Sequence, residues 1–218
     1  MDDAYLQPYR ELAKVHGTQF GVTLWADEGT QRVRFDVFVQ MYSFDGRRVL
    51  DAGCNRGDFA AYLIQKGIAF EHFVGIDGLD EVIGYATGRG LTNSEFCVGD
   101  FVRVPGLLTL GDPEVICISG ALNTMSDAHV DQVLESSWNA TSDALMFNFL
   151  SDRAGPKAWL QLPPVRRLNT MKLIEWAKSK TQYVSFREDY FDHLHDATIL
   201  MRRGPADESE HHQRLPHG

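Results

Sequence analysis

RVLDAGCNRGDFAAYL, residues 48–63, decides how the rest of the chain is read. Val49 and Leu50 form a short apolar run that ends at Asp51. Gly53 and Gly57 then bracket Asn55, and Phe59, Tyr62 and Leu63 fall on one face of a helix. The stretch is a strand, a Gly-rich turn and a helix. In an open α/β sheet such a turn sits at the carboxyl end of a strand, where ligands bind. Glycine has no Cβ, so backbone N–H groups and the helix N-terminus can approach a polar ligand there.

Outward from this turn, strands and helices alternate. Apolar runs predict strands over 48–52, 72–76, 95–98, 114–119, 144–150, 183–186 and 197–201. Periodic segments predict helices over 58–66, 80–89, 127–139 and 169–178. Before the first strand, a helix over 4–16 is followed by the loop-like GVTLWADEGT. A second helix over 30–41 then begins, capped by Asp27 or Thr30. Repeated alternation implies an α/β protein with a mostly parallel sheet and helices on both faces. Only about ten residues without a helix signal join the last two strands, so the seventh is expected to run antiparallel.

Composition narrows the function. The chain has 218 residues, a 44% hydrophobic fraction and a formal net charge of −9. That balance argues against a general nucleic-acid or anionic-membrane partner, both of which need a basic face. The N-terminus lacks the basic and apolar regions of a signal peptide. No run reaches the roughly 20 apolar residues of a membrane span. The three cysteines form no C-x-x-C pair, which fits a reducing, cytoplasmic compartment. The histidines of the polar 204–218 tail read as solvated rather than metal-binding, and no metal site is expected.

Three strand ends carry acids on the same sheet edge: Asp51, Asp77 and Asp100. Each alone is an ordinary turn or cap residue. Together they suit one ligand, with a carboxylate after the second strand accepting from vicinal ribose hydroxyls and one after the third accepting from an exocyclic amine. The turn lacks the G-x-G-x-x-G spacing of dinucleotide sites. Asp51 would repel a pyrophosphate but suits a cationic amino group, which favours an adenosine cofactor with an amino-acid end.

VLDAGCNRGDFAAYL resembles motif I of the class I S-adenosylmethionine-dependent methyltransferases. GIDGLDEVIGYA, CVGDF and VICISGALNTM resemble the segments that follow it in that superfamily. The resemblance spans about residues 34–201 and implies a Rossmann-like, seven-stranded sheet. With it, the chain divides into a helical cap or lid over 1–45 and an S-adenosylmethionine-binding domain over 46–203, and the polar composition of 204–218 adds a disordered tail. It implies that Asp51 and Gly53 face the methionine end of the cofactor, with Cys54 and Asn55 along the turn. Asp77 would hold the ribose, with Gly78 and Leu79 beside the adenosine. Asp100 and Phe101 would meet the adenine, and Ser119 and Gly120 would flank the sulfonium. An arginine on the preceding helix pairs with the cofactor carboxylate in relatives, and Arg34 is the candidate. Asn55 departs from the usual glycine, but Asn tolerates the left-handed conformation.

The expected function is methyl transfer to a small-molecule acceptor. The alternatives are a non-catalytic cofactor-binding module and a nicotinamide-dependent oxidoreductase. The link between strands six and seven carries Tyr190, His193 and His195 as candidate acid–base groups. Asn123 either orients the acceptor or caps the helix after it. Arg153, Lys157, Arg166 and Arg167, with Trp159 among them, form a basic cluster in an acidic chain. It is read either as a site for an acidic acceptor or as a plain surface loop.

Overall fold

Alternation along the central strand sets the layers. Val49 packs into one apolar cluster, while Leu50 and Ala52 pack into the other on the opposite face. The computed structural model describes residues 3–158 and 165–206. Its strands are β1 (Arg48–Ala52), β2 (His72–Asp77), β3 (Ser94–Val98), β4 (Val115–Ser119), β5 (Ala144–Leu150), β6 (Val184–Arg187) and β7 (Asp196–Arg202). They form one sheet in the order β3-β2-β1-β4-β5-β7-β6. Neighbours from β3 through β5 pair in parallel, and β7 runs antiparallel to both β5 and β6. The expected architecture is the one observed. Strand order reverses between β1 and β4, so the crevice beyond their carboxyl ends is where this topology places a ligand.

The helices are α1 (Gln7–His16), α2 (Glu28–Met41), α3 (Asp58–Gln65), α4 (Asp80–Gly88), α5 (Asp127–Ala140) and α6 (Thr170–Lys180). Helices α2 and α3 cover one face through Phe35, Phe38, Phe59 and Leu63. Helices α5 and α6 cover the other through Val130, Leu134, Leu173 and Ile174. Caps set several boundaries. Asp27 accepts from Thr30 N at 2.8 Å and starts α2 two residues earlier than the apolar pattern does. Ser126 caps α5 and Asn169 caps α6. Two stretches read as loop contain short 3-10 turns, Phe20–Thr23 and Asp192–Leu194. Neither turn is long enough to produce a helical period. Among the described residues, no helix is long and apolar enough to cross a membrane. Trp159, the Pro163-Pro164 pair and residues 207–218 of the tail lie outside the described residues.

Phe59 clamps α2 and α3 to the sheet. It is buried and makes ring contacts with Phe35, Phe38, Phe44, Tyr62 and Phe73. Phe59→Ala is expected to cost about 3–5 kcal/mol of stability, measured as a lowered midpoint in urea unfolding.

Candidate active site

The turn after β1 is bent by three left-handed residues, Gly53 (φ 86°), Asn55 (φ 47°) and Gly57 (φ 69°). A Cβ on Gly53 would sit 2.7 Å from the Ala121 Cβ, so no larger residue fits. Gly53 N and Cys54 N both donate to Ile76 O, at 2.8 and 3.0 Å, which folds the turn across the end of β2. Asn55 occupies the conformation that its residue type tolerates.

The three strand-end acids have different surroundings. Asp77 accepts from Asn55 N at 2.9 Å through Oδ2 and from Leu79 N at 3.0 Å through Oδ1. Burial pushes its carboxyl up to about 6, against the pull of those backbone N–H groups. Asp100 lies with its two oxygens 2.8 and 2.7 Å from the Tyr5 hydroxyl, and its Oδ1 accepts from Val102 N and Arg103 N. Asp51 is only 3% exposed, and its Oδ1 has no hydrogen-bond partner among the described residues. Burial, then the charges of Asp77 and Asp58, push it up to about 8. An orphaned buried carboxylate oxygen of this kind fits a cationic amino group.

At the end of β4, Asn148 on β5 fixes the neighbouring strand. Its Oδ1 accepts from Gly120 N at 2.9 Å and its Nδ2 donates to Ser119 Oγ at 3.0 Å. Gly120 (φ 77°) lies under Trp25, whose ring would be 2.5 Å from a Cβ there. The Gly-rich turn, the acids and the β4 end open into one cavity of about 360 Å³. Asp51, Gly53, Cys54, Asn55, Asp77 and Gly78 line it on the turn side, with Asp100 and Phe101 beyond. Tyr5, Leu6, Tyr9, Trp25, Gln31 and Arg34 line it from the N-terminal segment. Ser119, Gly120, Asn123, Leu150, Val165 and His195 line the side nearest β4, β5 and β7. Leu79 is buried against Val22 and Val82, just behind Gly78.

The remaining candidates separate. Arg34 lines the cavity and pairs with Asp196, while its Nη1 donates to Thr30 O at 2.8 Å. Its guanidinium lies 4.0 Å from the Trp25 ring centroid and 4.7 Å from that of Phe191. His195 is also buried at the cavity, and its Nδ1 is 3.1 Å from Arg167 Nη2. Burial, then Arg167 and Arg34, lower its imidazole to about 4. That leaves a neutral ring of low basicity at physiological pH. His193 is exposed, and Tyr190 places its hydroxyl 2.8 Å from Thr198 Oγ1; neither lines the cavity. Asn123 caps no helix, because Ser126 does so. Its Oδ1 accepts from Leu150 N at 2.9 Å instead.

Three members of the basic cluster are paired within the fold, while Lys157 is exposed. Arg153 pairs with Glu188 at 3.1 Å and Arg166 with Asp127 at 2.6 Å. Arg167 donates to Ser151 O and His195 O, both at 2.9 Å. These partners are distant in sequence, so the local cluster gave no sign of them. Tyr5, Asn148 and Asp196 were likewise missed, since only the fold brings them to Asp100, Gly120 and Arg34. Among the described residues, no group of three or more His, Cys, Asp or Glu is placed to hold a metal ion.

A reversing parallel sheet, a Gly-rich turn at the switch point and acids on three successive strand ends define a nucleoside-cofactor-binding α/β enzyme. The family model described as "Methyltransferase domain" matches residues 43–152, and the chain belongs to that family. It is a class I S-adenosylmethionine-dependent methyltransferase, and S-adenosylmethionine is its cofactor; the nicotinamide alternative falls with that assignment. Solved structures share the fold at low identity. A SAM-dependent methyltransferase from Archaeoglobus fulgidus is 12% identical over 89% of this chain and 99% of its own, with a TM-score of 0.66. Phosphoethanolamine N-methyltransferase 1 from Haemonchus contortus is 14% identical over 94% and 49%, at 0.68. Magnesium protoporphyrin IX methyltransferase from Synechocystis, with SAH bound, is 13% identical over 93% of each chain, at 0.61. No match was found among curated protein sequences.

Asp51 ties stability to pH. Its folded value, about 8, lies above its ordinary 3.8. The folded state therefore holds the proton more tightly, and stability falls as pH rises between those values. Asp51→Asn is expected to flatten that fall and to raise the melting temperature of the cofactor-free protein at pH 8 more than at pH 5. Thermal melts at the two pH values measure it.

Proposed function

We propose that this methyltransferase acts on a small-molecule acceptor received beside Trp25, Asn123, Leu150, Val165 and His195. The observation that carries this reading is the cavity itself. Residues of the N-terminal segment wall the same space as the cofactor turn, and its volume of about 360 Å³ is on the scale of small-molecule pockets. The acceptors named for two structural neighbours, phosphoethanolamine and magnesium protoporphyrin IX, are also small molecules. The net charge of −9 weighs against a nucleic-acid substrate. Three free cysteines fit a reducing, cytoplasmic setting.

In this reading residues 1–45 form a cap, 46–203 hold the cofactor, and 204–218 are a tail. Asp77 accepts from the ribose hydroxyls, with Gly78 and Leu79 beside the adenosine. Asp100 accepts from the adenine amine next to Phe101. Asp51 answers the cationic amino group, while Gly53, Cys54 and Asn55 follow the methionine end. Ser119 and Gly120 flank the reacting centre, and Arg34 lends its charge to the cofactor carboxylate from within its pair with Asp196. When bound, S-adenosylmethionine supplies a methyl group on a cationic sulfur. The chain's own part is to align the acceptor and exclude water. His195 acts as a polar wall for the acceptor, and Tyr190 and His193 support the segment that carries it.

Asp77→Ala removes the acceptor of two charge-assisted hydrogen bonds and is expected to weaken S-adenosylmethionine about 100-fold or more. Calorimetric titration checks this, with a thermal melt to confirm folding. Unchanged affinity in a folded variant rejects the ribose assignment.

A further inference from the structure

The Asp100 carboxylate is shared between the cofactor cavity and the N-terminal segment. Asp100 and Tyr5 both line the cavity, and the Asp100 side chain is 19% exposed. Its Oδ1 accepts from Val102 N and Arg103 N, both at 3.1 Å, which occupy the two lone pairs of that oxygen. The Tyr5 hydroxyl, 2.8 Å from Oδ1 and 2.7 Å from Oδ2, carries one proton, and Oδ2 is the oxygen with room for it. Arg103 Nε stands 3.7 Å from Oδ2, beyond hydrogen-bond range. Among the described residues Tyr5 is therefore the one hydrogen-bond donor to Oδ2, and that oxygen keeps a second lone pair. Burial, then the hydrogen bond to Asp100, push the Tyr5 phenol above its ordinary value, so it keeps its proton and donates. Tyr5 is also an anchor. Its ring is buried in the main apolar cluster and meets the His129 ring in a T-shaped contact, 5.1 Å between centroids. Leu6 beside it comes within 3.0 Å of where a Gly78 Cβ would stand. Helix α1, which follows, has no fully buried residue.

We propose that Tyr5 is a positioning residue for the cofactor's base: its hydroxyl fixes Asp100 so that Oδ2 presents its remaining lone pair to the adenine amine, and the same bond docks the N-terminal segment over the cofactor. The proposal rests on the reading in which Asp100 accepts from that amine. Three donors hold the carboxylate plane, two from the loop that follows Asp100 and one from Tyr5. A carboxylate fixed in this way accepts from a purine amine and repels a purine carbonyl in its place. A carboxylate free to turn relieves that clash and loses the discrimination. Rejection of the wrong group comes from the buried oxygen it leaves unpaired, so it depends on the oxygen staying where it is. One bond serves both tasks, and base recognition and docking of the segment are thereby linked. Binding of the right base favours the docked segment by the same free energy with which the docked segment favours that base.

The test titrates the full chain calorimetrically with S-adenosylhomocysteine and with S-inosylhomocysteine, which carries a carbonyl where adenine has its amine. The unaltered protein is expected to prefer the adenosyl compound by about 100-fold or more. Tyr5→Phe keeps the ring and its contact with His129 and removes only the hydroxyl. It is expected to weaken S-adenosylhomocysteine about tenfold and the inosyl compound little, so that the preference narrows. An unchanged preference, with both compounds weakened equally or not at all, would make Tyr5 an anchor of the fold only. Tighter binding of S-adenosylhomocysteine would make the hydroxyl a competitor of the amine. Either result overturns the proposal. In an Asp100→Asn background, Tyr5→Phe is expected to leave the preference as it is, and a further narrowing overturns it. Proteolysis of the unaltered protein reads the link without a variant. At saturation, S-adenosylhomocysteine is expected to slow tryptic cleavage after Lys14, exposed on α1, more than the inosyl compound does, and equal protection overturns the link. An unaltered protein that binds both compounds equally overturns the adenine assignment of Asp100, and one that binds neither overturns the methyltransferase reading itself.

Discussion

A carboxylate near the end of a buried central strand is costly unless something answers its charge, and β1 carries one, Asp51, one residue before its end. The three acids of this edge meet that constraint differently. Asp77 takes backbone N–H groups from the turn and from Leu79, so the turn after β1 and the chain after β2 hold each other in place. Asp100 is held by its own loop and by Tyr5, which ties the N-terminal segment to the far end of the same edge. Asp51 has Asp77 and Asp58 as neighbours, which add to the cost of ionising it. In the proposed reading the cofactor's cationic amino group relieves burial and repulsion together, which would couple cofactor binding to the stability of the turn.

The sequence made the fold legible because the evidence for it is local. Alternating runs, Asp51 with Gly53 and Gly57, and acids closing successive strands each lie within a few residues of one another. The short link before β7 was enough to indicate the reversed strand. The acceptor side depends on contacts that cross the chain. Arg34 pairs with Asp196, Arg167 meets His195, and Arg166 meets Asp127. The basic cluster over 153–167 thus read as either a site for an acidic acceptor or a plain surface loop, although three of its members brace loops against one another. His193 and His195 were equivalent in sequence. The fold turns one outward and buries the other beside two guanidinium groups, which removes its strength as a base.

Backbone strain is concentrated where that wall is built. His193 (φ 61°) and Leu194 (φ 55°) are successive non-glycine residues in the left-handed region, a conformation costing roughly 1–2 kcal/mol per residue. They persist because the segment is held on both sides. Gly155 N donates to His193 O at 2.9 Å, and His195 O accepts from Ser151 N and Arg167 Nη1. The bend delivers His195 to the cavity and brings Phe191 to the Arg34 guanidinium, which also meets Trp25. Strain at a position so heavily over-determined marks a segment whose shape serves the site rather than the core.

The acids around the turn also bear on rate. Methyl transfer disperses the charge of the cationic donor on reaching the transition state, so a water-poor cavity favours the reaction by solvating the concentrated charge less. Acids placed against the donor work the other way if they stabilise its charge more before transfer than during it. Here Asp77 already accepts two backbone hydrogen bonds, and Asp100 is held by Tyr5 and its loop. Their oxygens are fixed by the protein and, in the proposed reading, answer the cofactor's sugar and base, away from the β4 end that carries Ser119 and Gly120. The carboxylates can thus contribute affinity at the remote parts of the cofactor, where binding energy orients the methyl group without deepening the ground state at the bond that breaks.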